Sequence, residues 1–200
     1  MTSIAALTQE SISLDTPVSD TDQEDLRQCQ DGDEAAYVRI VQRYEPIIAR
    51  QMWRFTRDPL KLEELVQEVF VEAYMSLHSF EGTAPFEHWL RRIASRVGYR
   101  FWKHKARDNE RREKQEQFHY ETSLRNESIT PTEAAEYLYQ LLETLPTQER
   151  MVLTLLYFEG WDTQEIAEHM GWTRSLVKVR AFRARKKLKM KLEAAGYESA

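Results

Sequence analysis

The sequence predicts an all-α chain: two small helical domains joined by a linker, the second built around a helix-turn-helix. Three observations carry this. Apolar residues recur at three- and four-residue steps in one segment after another, the period of a helix face. No strand-length alternation stands out along the 200 residues. Between residues 104 and 131 the apolar periodicity lapses, dividing two periodic halves. Hydrophobic residues make up 42% and charged residues 30%, which suits a core under a heavily charged surface.

Residues 1–22 are short of aromatics and rich in Ser, Thr and Asp, and read as a disordered acidic tail. From Asp22 the pattern turns helical: Leu26, then Val38, Val41, Tyr44, Ile48, Met52 and Phe55, interrupted at Asp31-Gly32-Asp33. Asp58-Pro59 starts the next helix, with Asp58 as N-cap and Pro59 at the first helical position. Its apolar stripe runs from Leu62 to Leu77, and its other face carries Glu63, Glu64, Gln67, Glu68 and Glu72. Ser79 to Pro85 reads as a loop. A third strong helix follows, with Phe86, Trp89, Leu90, Ile93, Ala94, Val97 and Phe101 on one face and Arg91, Arg92, Arg96, Arg100 and Lys103 on the other. After the 104–131 linker, Thr130-Pro131 restarts order, and helices are expected over 134–145, 146–158, 162–170 and 173 to about 192. The expected division is tail 1–22, helical domain 23–103, linker 104–131, helix-turn-helix domain 132–194 and tail 195–200.

The net charge of -5 hides strong patterning. Residues 85–114 carry +6 and residues 173–192 carry +9 with no acid, whereas 1–25 carry -6 and 115–172 carry -9. Two basic blocks in an acidic chain suggest two contacts with a polyanion.

The sharpest local signal lies in 162–185. Asp162 and Glu165 form a capping box, Ala167 is small where two helices cross, and Gly171 supplies the positive φ of the turn. Thr173 caps the next helix, with Leu176 and Val177 expected inward. Arg174, Ser175 and Lys178 then face outward at the end that a recognition helix pushes into a major groove. Arg183, Arg185 and Lys186 lie farther along and suit the phosphate backbone.

The earlier basic block interleaves aromatics with positive charges, as single-stranded nucleic acid requires. Trp89 and Phe101 fall at core spacing. Tyr99 and Trp102 fall off it and are candidates for base stacking, beside Arg92, Arg96 and Lys103.

These residues resemble a known family. Leu65-Val66-Gln67-Glu68-Val69-Phe70, Phe80-Glu81-Gly82, and Phe86 with Trp89-Leu90-Arg91-Arg92-Ile93-Ala94 are similar to region 2 of bacterial sigma factors. Leu145-Pro146 with Arg150, Glu159-Gly160, Glu165-Ile166-Ala167, Met170-Gly171, Val177-Lys178 and Arg183-Ala184-Arg185 are similar to region 4. The missing regions 1 and 3 resemble the extracytoplasmic-function (ECF) group. The resemblance implies a transcription initiation factor, not an enzyme, with no cofactor and no metal. It implies that Glu64, Gln67, Glu68 and Glu72 dock on the β′ clamp helices of core RNA polymerase. Arg92, Arg96 and the 79–85 loop would take the unpaired minus-ten strand, the place where the residue pattern also puts Tyr99, Trp102 and Lys103. Arg174, Ser175 and Lys178 would read the minus-thirty-five duplex of promoter DNA. An anti-sigma factor is a further partner class that it allows. Two positions depart from the family: Arg96 stands where Asn is usual, and Arg100 where Asp is usual.

The residues alone leave rivals open. A helix-turn-helix regulator acting without polymerase would use 162–192 and bind a two-fold operator unaided. An enzyme finds no support in local motifs: the five histidines show no metal-ligand spacing, and no Gly-rich phosphate loop is present. The single cysteine, Cys29, excludes an internal disulfide framework. Apolar runs of only a few residues predict no membrane insertion, and no secretory start is visible, so a cytoplasmic protein is expected.

Overall fold

The computed structural model describes residues 20–113 and 131–197. The expected disorder of 1–19, the linker over 114–130 and the tail 198–200 lie outside the described residues. Among those described there is no strand. The first domain holds α1 (Asp20–Gln30), α2 (Glu34–Met52), α3 (Pro59–Ser76), a 3-10 turn (Leu77–Ser79) and α4 (Phe86–Glu113). The second holds α5 (Pro131–Glu143), α6 (Thr147–Tyr157), α7 (Thr163–Met170) and α8 (Arg174–Ala194).

Local chemistry sets the helix starts. Asp33 accepts from the Ala35 amide at 2.9 Å, and Asp58 accepts from Leu60 and Lys61 at 2.9 and 3.4 Å. Each such cap contributes about 1 kcal/mol. The apolar stripes then meet: Ile40, Ile48 and Met52 of α2, Leu65, Val69 and Phe70 of α3, and Leu90, Ile93 and Val97 of α4 are buried together. The turn of α1 onto α2 is held by charge. Asp25 is buried and bonds Arg39 and Arg43 at 2.8 Å each, while Asp22 accepts from the Tyr44 hydroxyl at 2.6 Å and from Arg43. Residues 20–22, expected in the tail, therefore belong to α1.

Helix α4 runs on to Glu113, into the segment read as linker. Residues 104–113 are rich in Lys, Arg and Glu, which lose little in a helix and need no apolar face to stay in one. Lys105 also bonds Glu143 of α5 at 2.9 Å.

The two domains pack on each other. Arg150 of α6 is buried and lays its guanidinium 3.9 Å from the centre of the Trp102 ring. Burial pushes its pKa down from the usual value. Glu159, just past α6, bonds Arg54 and also Arg91 at 3.4 Å, and its side chain is 1% exposed. The Phe55 carbonyl accepts from Trp102 Nε1 at 2.9 Å and from the Tyr139 hydroxyl at 3.4 Å. Within the first domain, Gly98 lets α4 come close to Phe55, since a Cβ there would meet the Phe55 ring at 2.4 Å.

Candidate functional site

The helix-turn-helix forms as its residue types require. Asp162 accepts from the Gln164 and Glu165 amides, Glu165 accepts from the Asp162 amide, and Asp162 is held below the usual carboxylate range by those backbone donors. Gly171 ends α7 at φ 66°, where a side chain would be strained. The Trp172 amide closes the end by donating to Ala167 at 2.8 Å. Thr173 accepts from the Leu176 amide at 3.2 Å, which aims the first turn of α8 outward. Ile166, Val177 and Ala181 are buried behind it.

Arg174, Ser175, Lys178, Arg183, Arg185 and Lys186 are all exposed. Arg174 donates to Thr163 at 3.1 Å, and Arg185 to the Tyr157 hydroxyl at 3.2 Å. Leu176 corrects its expectation. It is 38% exposed, because Val177, Ala181 and Ala184 already line the buried face and position 176 lies about 100° away. Sequence reasoning passed over Phe182. It is 65% exposed, one turn beyond Lys178 on the same face, and an exposed aromatic at that spacing was the available signal.

The acidic face of α3 forms as expected. Glu64, Gln67 and Glu68 are exposed and Glu72 is half-buried. Glu64 pairs with Lys61 at 2.7 Å, and Gln67 donates to Glu63 at 3.3 Å. Arg100 of α4 donates to Glu68 at 2.8 Å and also to Glu72. Its pKa is raised, the two carboxylates outweighing partial burial.

On α4, Arg92, Arg96 and Lys103 are exposed. Arg92 lies 5.7 Å from the Trp161 ring and Lys103 5.8 Å from the Tyr99 ring. Tyr99 is half-buried, its ring 6.0 Å from Trp172 in an edge-on contact, and burial raises its pKa. Trp102 corrects its expectation: it is 3% exposed, so it has no face for stacking a base. A single apolar stripe along α4 leaves position 102 outside. α4 is covered on two sides, by its own domain and by Arg150 and Tyr139 of the second. Between the domains, His169 packs edge-on against Trp161 at 4.8 Å. Burial, with Arg96 and Arg92 nearby, lowers its pKa to about 4. Among the described residues no group of His, Cys, Asp and Glu could hold a metal ion, and no helix is long and apolar enough to cross a membrane.

Two domain families match the chain: Sigma-70 region 2 over residues 40–108 and Sigma-70 region 4 over residues 135–188. The chain is 30% identical to the ECF RNA polymerase sigma-E factor of Haemophilus influenzae, over 86% of this chain and 96% of that one. It is 29% identical to the RNA polymerase sigma-H factor of Pseudomonas aeruginosa, over 86% and 94%. The fold is similar to the sigma factor RpoE solved with the anti-sigma factor NepR from Bartonella quintana, with a TM-score of 0.55, 19% identity and coverage of 78% and 96%. The chain belongs to the sigma-70 family of RNA polymerase sigma factors, in its ECF group.

Proposed function

We propose that this ECF sigma factor divides its work between separate faces, with 23–103 and 132–194 as its functional units. It binds core RNA polymerase and promoter DNA. The α3 face of Glu64, Gln67, Glu68 and Glu72 docks on the β′ clamp helices of polymerase. Arg92, Arg96, Lys103 and Tyr99 hold the unpaired minus-ten strand, the cations at phosphates and Tyr99 by stacking. Arg174, Ser175 and Lys178 read base edges of the minus-thirty-five duplex, and Phe182 packs on a thymine methyl. Arg183, Arg185 and Lys186 grip phosphates. The factor acts in the cytoplasm with polymerase, and no catalytic step is its own. An anti-sigma protein is a partner of the class seen with the similar RpoE chain.

One observation supports the duplex-reading role above all. The capped start of α8 presents three exposed hydrogen-bonding side chains, backed by buried Val177 and Ala181, on a helix whose first acid is Glu193. Tyr99 and Trp172 are 6.0 Å apart here, whereas the two promoter elements lie about 25 base pairs, hence about 85 Å, apart along a duplex. The domains therefore separate when both elements are held. Promoter variants changed at one base pair, tested with mutant holoenzymes at two salt concentrations, check the division between reading and gripping. Lys178→Ala should relax preference at one position, by about 1–3 kcal/mol. Arg183→Ala should weaken every promoter alike and flatten the salt slope by about one. A uniform loss in Lys178→Ala would make that residue a phosphate clamp.

A further inference from the structure

We propose that Arg100 is a latch between the polymerase face and the DNA face. In the free chain Glu68 and Glu72 hold it; docking draws those carboxylates to basic groups on polymerase and frees Arg100 for a phosphate of the unpaired strand. The inference rests on the docking role of the α3 face proposed above.

Arg92, Arg96 and Arg100 stand four residues apart on α4, with Lys103 three further on, so they form one cationic row. Among the described residues, Arg100 alone in that row is paired with carboxylates. Glu68 and Glu72 are themselves one turn apart on α3, so a single guanidinium reaches both. Both bonds are made by Nη2, leaving Nε and Nη1 without a protein acceptor among the described residues. That is a weaker grip than the two parallel bonds of a fork-to-carboxylate pair. The pairs are also partly solvated, with side-chain exposures of 42% for Arg100, 47% for Glu68 and 32% for Glu72. A polymerase cation arriving at Glu68 would meet Arg100 as a like charge beside its target, so the two positives compete for one carboxylate. The winner on polymerase displaces Arg100 toward the row of which it is part. Arg100 thus couples docking to strand capture.

The test uses the full chain as wild type, Arg100→Ala, Arg100→Gln and Glu68→Lys. Each is titrated onto core polymerase, and dye-labelled oligo-dT is titrated at several salt concentrations onto the free chain and onto holoenzyme. With the competitor gone, Arg100→Ala and Arg100→Gln should bind core about two- to fivefold more tightly, the scale of an exposed ion pair. Their salt slope for oligo-dT should match wild type in the free chain and fall by about 0.7 in holoenzyme, one single-strand phosphate contact. A mere staple between α3 and α4 gives the reverse: weaker core binding and no difference in slope. Either equal or weaker core binding, or a slope that falls equally in free chain and holoenzyme, overturns the latch. Wild-type core affinity in Glu68→Lys would instead remove the docking face, so failure of that reading shows separately.

Discussion

Replacing Glu159 by Gln should loosen the hold of one domain on the other. The carboxylate is 1% exposed and bonds both Arg54 of the α2–α3 connection and Arg91 of α4. Gln keeps the volume and removes the charge, leaving two guanidiniums facing a neutral amide. Removing one partner of a buried pair costs about 3–5 kcal/mol. Two features here reduce that. The Arg54 and Arg91 side chains are 24% and 22% exposed, so water reaches them, and Arg91 keeps its 2.7 Å pair with Glu87. About 2–3 kcal/mol remains, which at 1.4 kcal/mol per decade shifts the closed-to-open balance by roughly 30- to 140-fold. The loss should fall on the domain contact, because Glu159 belongs to the second domain and both of its partners, Arg54 and Arg91, belong to the first. Small-angle scattering reads it directly: the wild type should be compact, and Glu159→Gln should show a larger radius of gyration with unchanged helical content. The same variant should bind oligo-dT more tightly, since Tyr99 is uncovered. A wild type already extended, or a variant with the wild-type radius, would refute the reasoning.

Trp102→Ala should cost about 3–5 kcal/mol of stability in urea denaturation, as a buried aromatic under Arg150, whereas Tyr99→Ala, at a half-buried site, should cost less stability and lose about 1–3 kcal/mol of single-strand binding in holoenzyme. Gly98→Ala should destabilise by about 1–2 kcal/mol, because the Phe55 ring it would strike is buried against Trp102 and cannot retreat; a stability gain would mean that α4 can move. His169 should make the chain acid-sensitive. Its folded pKa is about 4 against an ordinary 6.5, so between those values the unfolded chain binds the extra proton and stability falls as pH drops. Urea midpoints from pH 7 to pH 4.5 should show a loss on the order of 2–3 kcal/mol that His169→Gln lacks, and equal pH curves for both would count against a buried neutral imidazole.

The elements that local chemistry specifies were legible from residues alone. Asp58 with Pro59, Asp162 with Glu165, Gly171 and Thr173 each set a boundary through a backbone hydrogen bond within a few positions, so the chain itself contains the answer. The outward start of α8 followed, because the cap fixes its phase. What failed was whatever depends on a second covered face. Trp102 sits off the main stripe of α4 and is buried only because Tyr139 and Arg150 arrive from 37 and 48 residues away, which no period along α4 reports. Leu176 failed the opposite way: an apolar residue beside Val177 looked inward although the small Ala181 and Ala184 already close that face. The bond from Arg100 to Glu68 spans 32 residues and two helices. Sequence could mark Arg100 as unusual but could not name its partner.

The most direct measurement is promoter-specific transcription in a purified system of core polymerase, this chain and genomic fragments. Wild type should direct initiation at discrete start sites that core alone ignores. Glu68→Lys, with its fold intact by circular dichroism, should lose that initiation together with core binding. Start sites that appear equally with Glu68→Lys, or no initiation with the wild type although it binds core, would contradict a sigma factor docked through the acidic face of α3.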